Sequence, residues 1–235
     1  MTLRTRRFVG VLLVAAGICL AIYQQQIVPA QATNPPAVPT PTQVTAEPLA
    51  LATLDKIPVK GRAPKTGYTR AQFGDGWALV GACDTRNIIL HRDLKNVIMS
   101  SDCKVASGEL SDPYTGKLIN FTRGEQTSAS VQIDHVVALS NTWQTGAQLL
   151  TPQTRIALAN DPLELIAVDG DANQQKGDGD AATWLPPNKP FRCQYVARQV
   201  AVKAKYNLWV TQAEADAMRR VLGDCPDQRL PAANT

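Results

Sequence analysis

Two short apolar runs, and the prolines between them, constrain this chain more than any other feature. Val131 to Leu139 (VQIDHVVAL) opens as a strand, and Leu163 to Val168 is a second run of strand length. Between them, Ser140 can cap a short helix reaching Trp143. Thr151-Pro152 sets a capping residue before a proline in the first turn, which starts a helix running to about Ala159. Asn160-Asp161-Pro162 ends it, because the residue before a proline is driven out of the α region. After the second run, Asp169 or Asp171 can cap a short helix over Ala172 to Lys176, and Gly177 can terminate it. The order is strand, helical excursion, strand, short helix.

The flanking sequence adds to this plan. Cys103 to Leu110, followed by Ser111-Asp112-Pro113-Tyr114-Thr115-Gly116 and then Lys117 to Phe121, reads as a β-hairpin, since Asp-Pro and Gly punctuate two alternating runs. Trp77 to Val80 is a short apolar run. Ile88 to Met99 places apolar residues on one helical face, so a helix is expected there. Two longer helices are expected over about 192–206 and 212–222. The predicted class is α+β, a few antiparallel strands with helices packed around them.

Residues 1–32 read as a secretory leader. Arg4, Arg6 and Arg7 precede an apolar stretch from Phe8 to Ile22, and Ala30-Gln31-Ala32 has the form of a cleavage site. An N-terminal anchor is the alternative if that leader stays attached, although the stretch is short against the ~20 residues of a spanning helix. Six prolines between 33 and 59 predict an extended linker. The folded domain is expected over 60–226, with a tail over 227–235. The mature protein is expected to be secreted, monomeric and free of stable membrane association.

Export agrees with the cysteines. Without Cys19 of the leader, Cys83, Cys103, Cys193 and Cys225 remain, an even number in a compartment that permits disulfides. Four cysteines allow three pairings, which spacing alone leaves open. The neighbour pairing, Cys83 with Cys103 and Cys193 with Cys225, is favoured, each loop contributing about 3 kcal/mol on a chain-entropy argument. No C-x-x-C pair points to zinc.

Charge is unevenly placed. Residues 126–187 are net −5, whereas 60–125 and 188–235 are net +3 and +4. Carboxylates between basic flanks suit a divalent cation held near a polyanion. The histidines are His91 and His135, which excludes a three-histidine metal site. A neutral imidazole can take a proton from water, Asp and Asn oxygens can hold a cation beside a phosphodiester, and a nearby positive charge can hold a non-bridging oxygen.

IDHVVALSNTWQTGA, followed by NDPLELIAVDGDANQQKGDGDAATWLPP, resembles the HNH (ββα-metal) endonucleases. Among them it is similar to secreted proteins related to the C-terminal nuclease domain of GmrSD-type restriction enzymes. GACDTRN at 81–87, the DPYTGK turn and FTRG at 121–124 belong to the same resemblance, which spans much of 62–222. It implies a ββα-metal core with a β-hairpin and added helices. It implies a metal-dependent endonuclease acting on DNA, with RNA as a second substrate, and Mg²⁺ or else Mn²⁺ as cofactor. By motif, His135 would be the general base, Asp134 and Asn173 metal ligands, and Asn160 the brace of the loop holding the base. Asn173 stands where a literal H-N-H pattern has its last histidine. Lys176, one turn after Asn173, would meet a phosphate, with Arg86 and Arg123 as further phosphate-binding candidates.

Two other function classes fit an exported chain. A cell-wall hydrolase would need a spaced carboxylate pair; carboxylates such as Glu164 and Asp178 are present, but no motif identifies such a pair. A non-catalytic binding module on a nuclease-like fold would bind without cleaving.

Overall fold

The computed structural model describes residues 46–232. The expected leader and most of the proline-rich stretch lie outside the described residues. The described part is α+β, as the pattern of runs predicts. Its helices are α1 (Ala50–Leu54), α2 (Thr85–Asp93), α3 (Leu139–Gln144), α4 (Pro152–Ala159), α5 (Gly170–Lys176), α6 (Arg192–Lys205) and α7 (Gln212–Gly223). Its strands are β1 (Leu79–Val80), β2 (Cys83–Asp84), β3 (Lys95–Met99), β4 (Val105–Ser111), β5 (Leu118–Thr122), β6 (Val131–His135) and β7 (Leu165–Asp169). They form a β1-β2 pair, a β3-β4-β5 sheet and a β6-β7 pair, all antiparallel.

The β6-β7 pair positions the site. Its register runs from Val131 opposite Asp169 to His135 opposite Leu165. Side chains alternate across a strand, so the pair serves two cores. Val131, Ile133, Leu165 and Ala167 pack with Ile89, Leu90 and Phe121 beneath the three-stranded sheet. Ile166 and Val168 face the larger helical core, built around Tyr114, Tyr195, Val200 and Met218. Asp134 and His135, adjacent in sequence, therefore start from opposite faces of the ribbon.

Local signals set most boundaries. Thr151 Oγ1 accepts from Thr154 N at the start of α4, and Asp169 accepts from Ala172 N at the start of α5. Gly170 opens α5 where a Cβ would run into the carbonyl oxygen of Ala129. Gly177 ends α5 with φ of 54°, a conformation costly for other residues. At α7, Thr211 and Glu214 form a reciprocal capping box. Cys83 is bonded to Cys103, and Cys193 to Cys225.

Four expectations are corrected. The segment expected to be helical from Ile88 to Met99 is helix only to Asp93. It then becomes an edge strand from Lys95, paired with β4 and carrying Asn96 at φ 51°, where Val97 and Ile98 suit a pleated surface. Ser140 lies inside α3 rather than capping it, and its hydroxyl donates to Asp178 at 3.2 Å. The linker expected to reach residue 59 is packed from Leu49 onward: Ala50, Leu54 and Ile57 are buried in the helical core. Pro48 and Pro58 leave a proline-free window that can form a turn and a half of helix, and its apolar residues outweigh the extended bias of the flanks. The expected tail is likewise tied down, since Ala50 N donates to Gln228 O at 2.8 Å and Leu230 N to Pro48 O at 2.9 Å.

Candidate functional site

His135 ends β6 and is 7% exposed. Its Nε2 lies 3.0 Å from the carbonyl oxygen of Ala159, the last residue of α4. A carbonyl can only accept, so Nε2 carries the proton and the neutral ring leaves Nδ1 as a lone pair. Nδ1 has no hydrogen-bond partner among the described residues. Trp77 stacks on the imidazole, with ring planes within 6° and centroids 5.8 Å apart. Burial pushes the imidazolium pKa down to about 3, against the raising effect of the Ala159 carbonyl; Arg70 and Lys176 add to the depression. The ring is thus neutral at physiological pH and fixed in one tautomer.

Asn160 follows the carbonyl that holds the base. Its Oδ1 accepts from Ala78 N at 2.8 Å and its Nδ2 donates to Ile156 O at 3.0 Å. The amide thereby ties the end of α4 to the backbone just after Trp77, so the two walls around His135 share one bracing residue.

Asp134 is also buried. Tyr114, from the turn of the β4-β5 hairpin, donates its phenol to Asp134 Oδ2. Lys176 Nζ donates to Asp134 Oδ1 at 2.8 Å and to the His135 carbonyl at 2.6 Å. Burial, with the Asp134 charge, raises the Tyr114 pKa well above its ordinary value, so the phenol stays a donor. Asp112 fixes the hairpin: its Oδ1 accepts from Asp169 N at 2.9 Å, docking the turn on β7.

Asn173 is half-buried on α5. Its Nδ2 donates to Gln132 Oε1 at 2.9 Å, and its Oδ1 has no partner among the described residues. His135, Asp134 and Asn173 line one cavity of about 400 Å³. His135 also lines a second cavity of about 370 Å³ with Trp77 and Ala159.

Other expected site residues lie elsewhere. Lys176 has a fully buried ammonium committed to Asp134, so it faces away from any phosphate in solution. Its helical spacing from Asn173 is real, but burial beneath Asp134 decides its orientation. Arg86 donates to Val131 O at 3.2 Å, and Arg123 to Val105 O at 2.7 Å and Asn87 Oδ1 at 2.5 Å. Arg86 thus binds backbone at the start of β6, about 13 Å along the strand from His135, and Arg123 is committed to the start of β4 and to Asn87 on α2. Glu164 has no exposed surface, accepts from Val137 N at 3.3 Å and has its pKa raised well above the carboxylate range by burial. That puts it out of reach of a polysaccharide, so Glu164 cannot serve as a carboxylate of a cell-wall hydrolase.

Tyr114, Trp77, Arg70 and the Ala159 carbonyl were not legible as site groups. Tyr114 does sit within the DPYTGK segment, the one signal that could have marked it.

No group of three or more His, Cys, Asp or Glu side chains among the described residues is arranged to hold a metal ion. Two residues with oxygen donors, Asp134 and Asn173, do line the first cavity. A carboxylate offers about four acceptor positions, so Asp134 keeps capacity beyond its bonds to Tyr114 and Lys176, and Asn173 Oδ1 is open. Hard oxygen donors of this kind suit Mg²⁺, which retains water or phosphate oxygens in its remaining positions.

The model of the GmrSD restriction endonucleases, C-terminal domain, matches residues 85–221, more than half of the chain. The chain belongs to this family. The GmrSD C-terminal domain gives a nuclease-like assignment to the region holding His135, Asn160 and Asn173, and nucleases of this kind usually depend on a metal ion. The chain is also 38% identical over 195 residues to an uncharacterized secreted protein of Arthroderma benhamiae, covering 82% of this chain and 92% of that one. No solved structure matches.

Proposed function

We propose that this protein is a secreted, metal-dependent endonuclease of HNH type that hydrolyses phosphodiester bonds, with DNA as the first substrate and RNA as the second. The observation that carries the reading is the tautomer of His135. Its Nε2–H is held by the Ala159 carbonyl, and its unprotonated Nδ1 belongs to a residue lining the cavity that Asp134 and Asn173 share. A general base needs that form: a neutral ring, locked in rotation, with a free lone pair at a polar cavity.

His135 would take the proton of the attacking water. Ala159 would stabilise the resulting imidazolium, since a carbonyl accepting from Nε2–H favours the charged ring. Asn160 and Trp77 would keep the ring from rotating. Asp134 and Asn173 would hold a divalent cation, Mg²⁺ or Mn²⁺, which when bound supplies charge stabilisation to a phosphodiester under attack. Tyr114 and Lys176 would orient Asp134 and offset the cost of burying it.

Secretion is supported by two observations. The Arthroderma relative is called a secreted protein, and two disulfides join the four described cysteines.

The test is incubation of the purified mature protein with plasmid DNA and with RNA, with Mg²⁺ and then with EDTA. Cleavage is expected with Mg²⁺, lost with EDTA and reduced at least 10²-fold in His135→Ala. Full activity of His135→Ala would remove the base, activity in EDTA would remove the metal, and binding without cleavage would leave a binding module.

A further inference from the structure

The two cavities that meet at His135 share Arg70. It opens the short 3₁₀ turn Arg70–Phe73 and lines both the cavity holding Asp134 and Asn173 and the one holding Trp77 and Ala159. No other lysine or arginine lines either cavity, whereas Asp75, Asp134 and Asp178 do.

A phosphodiester entering this groove meets carboxylates, and something positive must offset them. Lys65, at the rim, is already paired with Asp178 at 3.1 Å. Lys176 is buried against Asp134. The Arg70 guanidinium is exposed and makes no hydrogen bond or ion pair among the described residues.

Its backbone, by contrast, is well held. Arg155 donates to Gln72 O at 2.9 Å and to Gln72 Oε1 at 3.0 Å. Phe73 is buried edge-on against Trp143. A pinned turn carrying an unpaired guanidinium is the arrangement of an anion-binding residue. The planar fork can take two non-bridging phosphate oxygens together, which an ammonium cannot.

We propose that Arg70 is a substrate-binding residue that seats the scissile phosphate against His135. This rests on the endonuclease reading above and names a residue for it that the family motif does not include. A phosphate on Arg70 would enter the cavity that His135, Asp134 and Asn173 line. The guanidinium would offset charge that grows on the phosphate oxygens during attack.

The test compares wild type, Arg70→Gln, Arg70→Lys and His135→Ala on a DNA oligonucleotide with Mg²⁺. Arg70→Gln is expected to lower kcat/KM about 10²-fold, with Arg70→Lys recovering part of the loss and the melting temperature unchanged. A substrate with one neutral methylphosphonate at the cleaved position should lose its discrimination between wild type and Arg70→Gln. If wild type cleaves and His135→Ala does not, but Arg70→Gln stays within twofold of wild type, the Arg70 assignment fails while the endonuclease reading stands. A shifted pH profile with no loss at its plateau would also overturn it, since Arg70 would then act only through the His135 pKa. If wild type cleaves neither DNA nor RNA, both fall together.

Discussion

Lys176 Nζ lies 2.8 Å from Asp134 Oδ1 and 2.6 Å from the carbonyl oxygen of His135. One ammonium from α5 thus clamps the last two residues of β6, taking the charge of the first and the backbone of the second. With the Tyr114 phenol on the other oxygen of Asp134, the carboxylate is held from both sides by residues from separate elements.

Removing the ammonium should expose the cost of that burial. Lys176→Met is expected to destabilise the protein by about 3–5 kcal/mol, because Asp134 would remain buried and uncompensated. Adding Asp134→Asn should recover part of the loss. Urea unfolding of the single and double variants measures both, and additive effects would show that the two groups are not coupled.

Tyr114→Phe removes one hydroxyl and leaves the ring packing with Tyr195 and Trp184 in place. The expected cost is about 1–3 kcal/mol, the price of an acceptor left short of a partner. If Asp134 holds the metal, the Mg²⁺ concentration for half-maximal cleavage should change while the fold, read by circular dichroism, does not.

The depressed pKa of His135 links stability to pH. The folded chain keeps the imidazole neutral down to about pH 3, whereas the unfolded chain protonates it near 6.5. The contribution is fully present above pH 6.5. Between those values the unfolded chain binds the extra proton, so stability falls as pH falls, by up to about 1.4 kcal/mol per unit. Denaturation midpoints from pH 8 to 4 should show this slope, and His135→Gln should flatten it. The acid limb of cleavage should correspondingly lie well below pH 6.

Gly170 tests the seating of α5. A methyl group there meets the Ala129 carbonyl, so Gly170→Ala must push α5 away from the turn before β6. A loss of about 1–3 kcal/mol is expected, together with weakened cleavage, since Asn173 and Lys176 ride on that helix. Equal stability to wild type would show that the turn yields freely.

Reduction of the Cys193–Cys225 bond frees a loop between the start of α6 and the end of α7. Replacing both cysteines with serine should cost about 2–5 kcal/mol, read as a lower melting temperature. The site lies on other elements, so activity at 25 °C should persist.

Much of the fold was legible because its signals are local. The cap and proline at Thr151-Pro152, the Asp-Pro and Gly of the hairpin, and the Gly after Lys176 each act within a few residues of the boundary they set. The exceptions failed where neighbours competed with local pattern. Ile88–Met99 carries a helical spacing, yet pairing with β4 turns its second half into a strand. Ala50–Leu54 sits among prolines, yet its apolar side chains find α6 and α7 to pack on.

The chain's own order of residues was enough to set an α+β class and to suggest which cysteines are neighbours, since these depend on short-range chemistry and spacing; the resemblance to a known family is what proposed His135, Asp134, Asn160 and Asn173 as a group. Which atom each group offers was settled only by packing. Alternation along β6 sends Asp134 and His135 to opposite faces, and their partners come from far away: Tyr114 and Lys176 for one, Trp77 and Ala159 for the other. Lys176 turned inward because a buried carboxylate needs a counter-charge more than solvent needs another cation. The base found its tautomer in a backbone carbonyl, a group every residue carries and no side-chain pattern can single out.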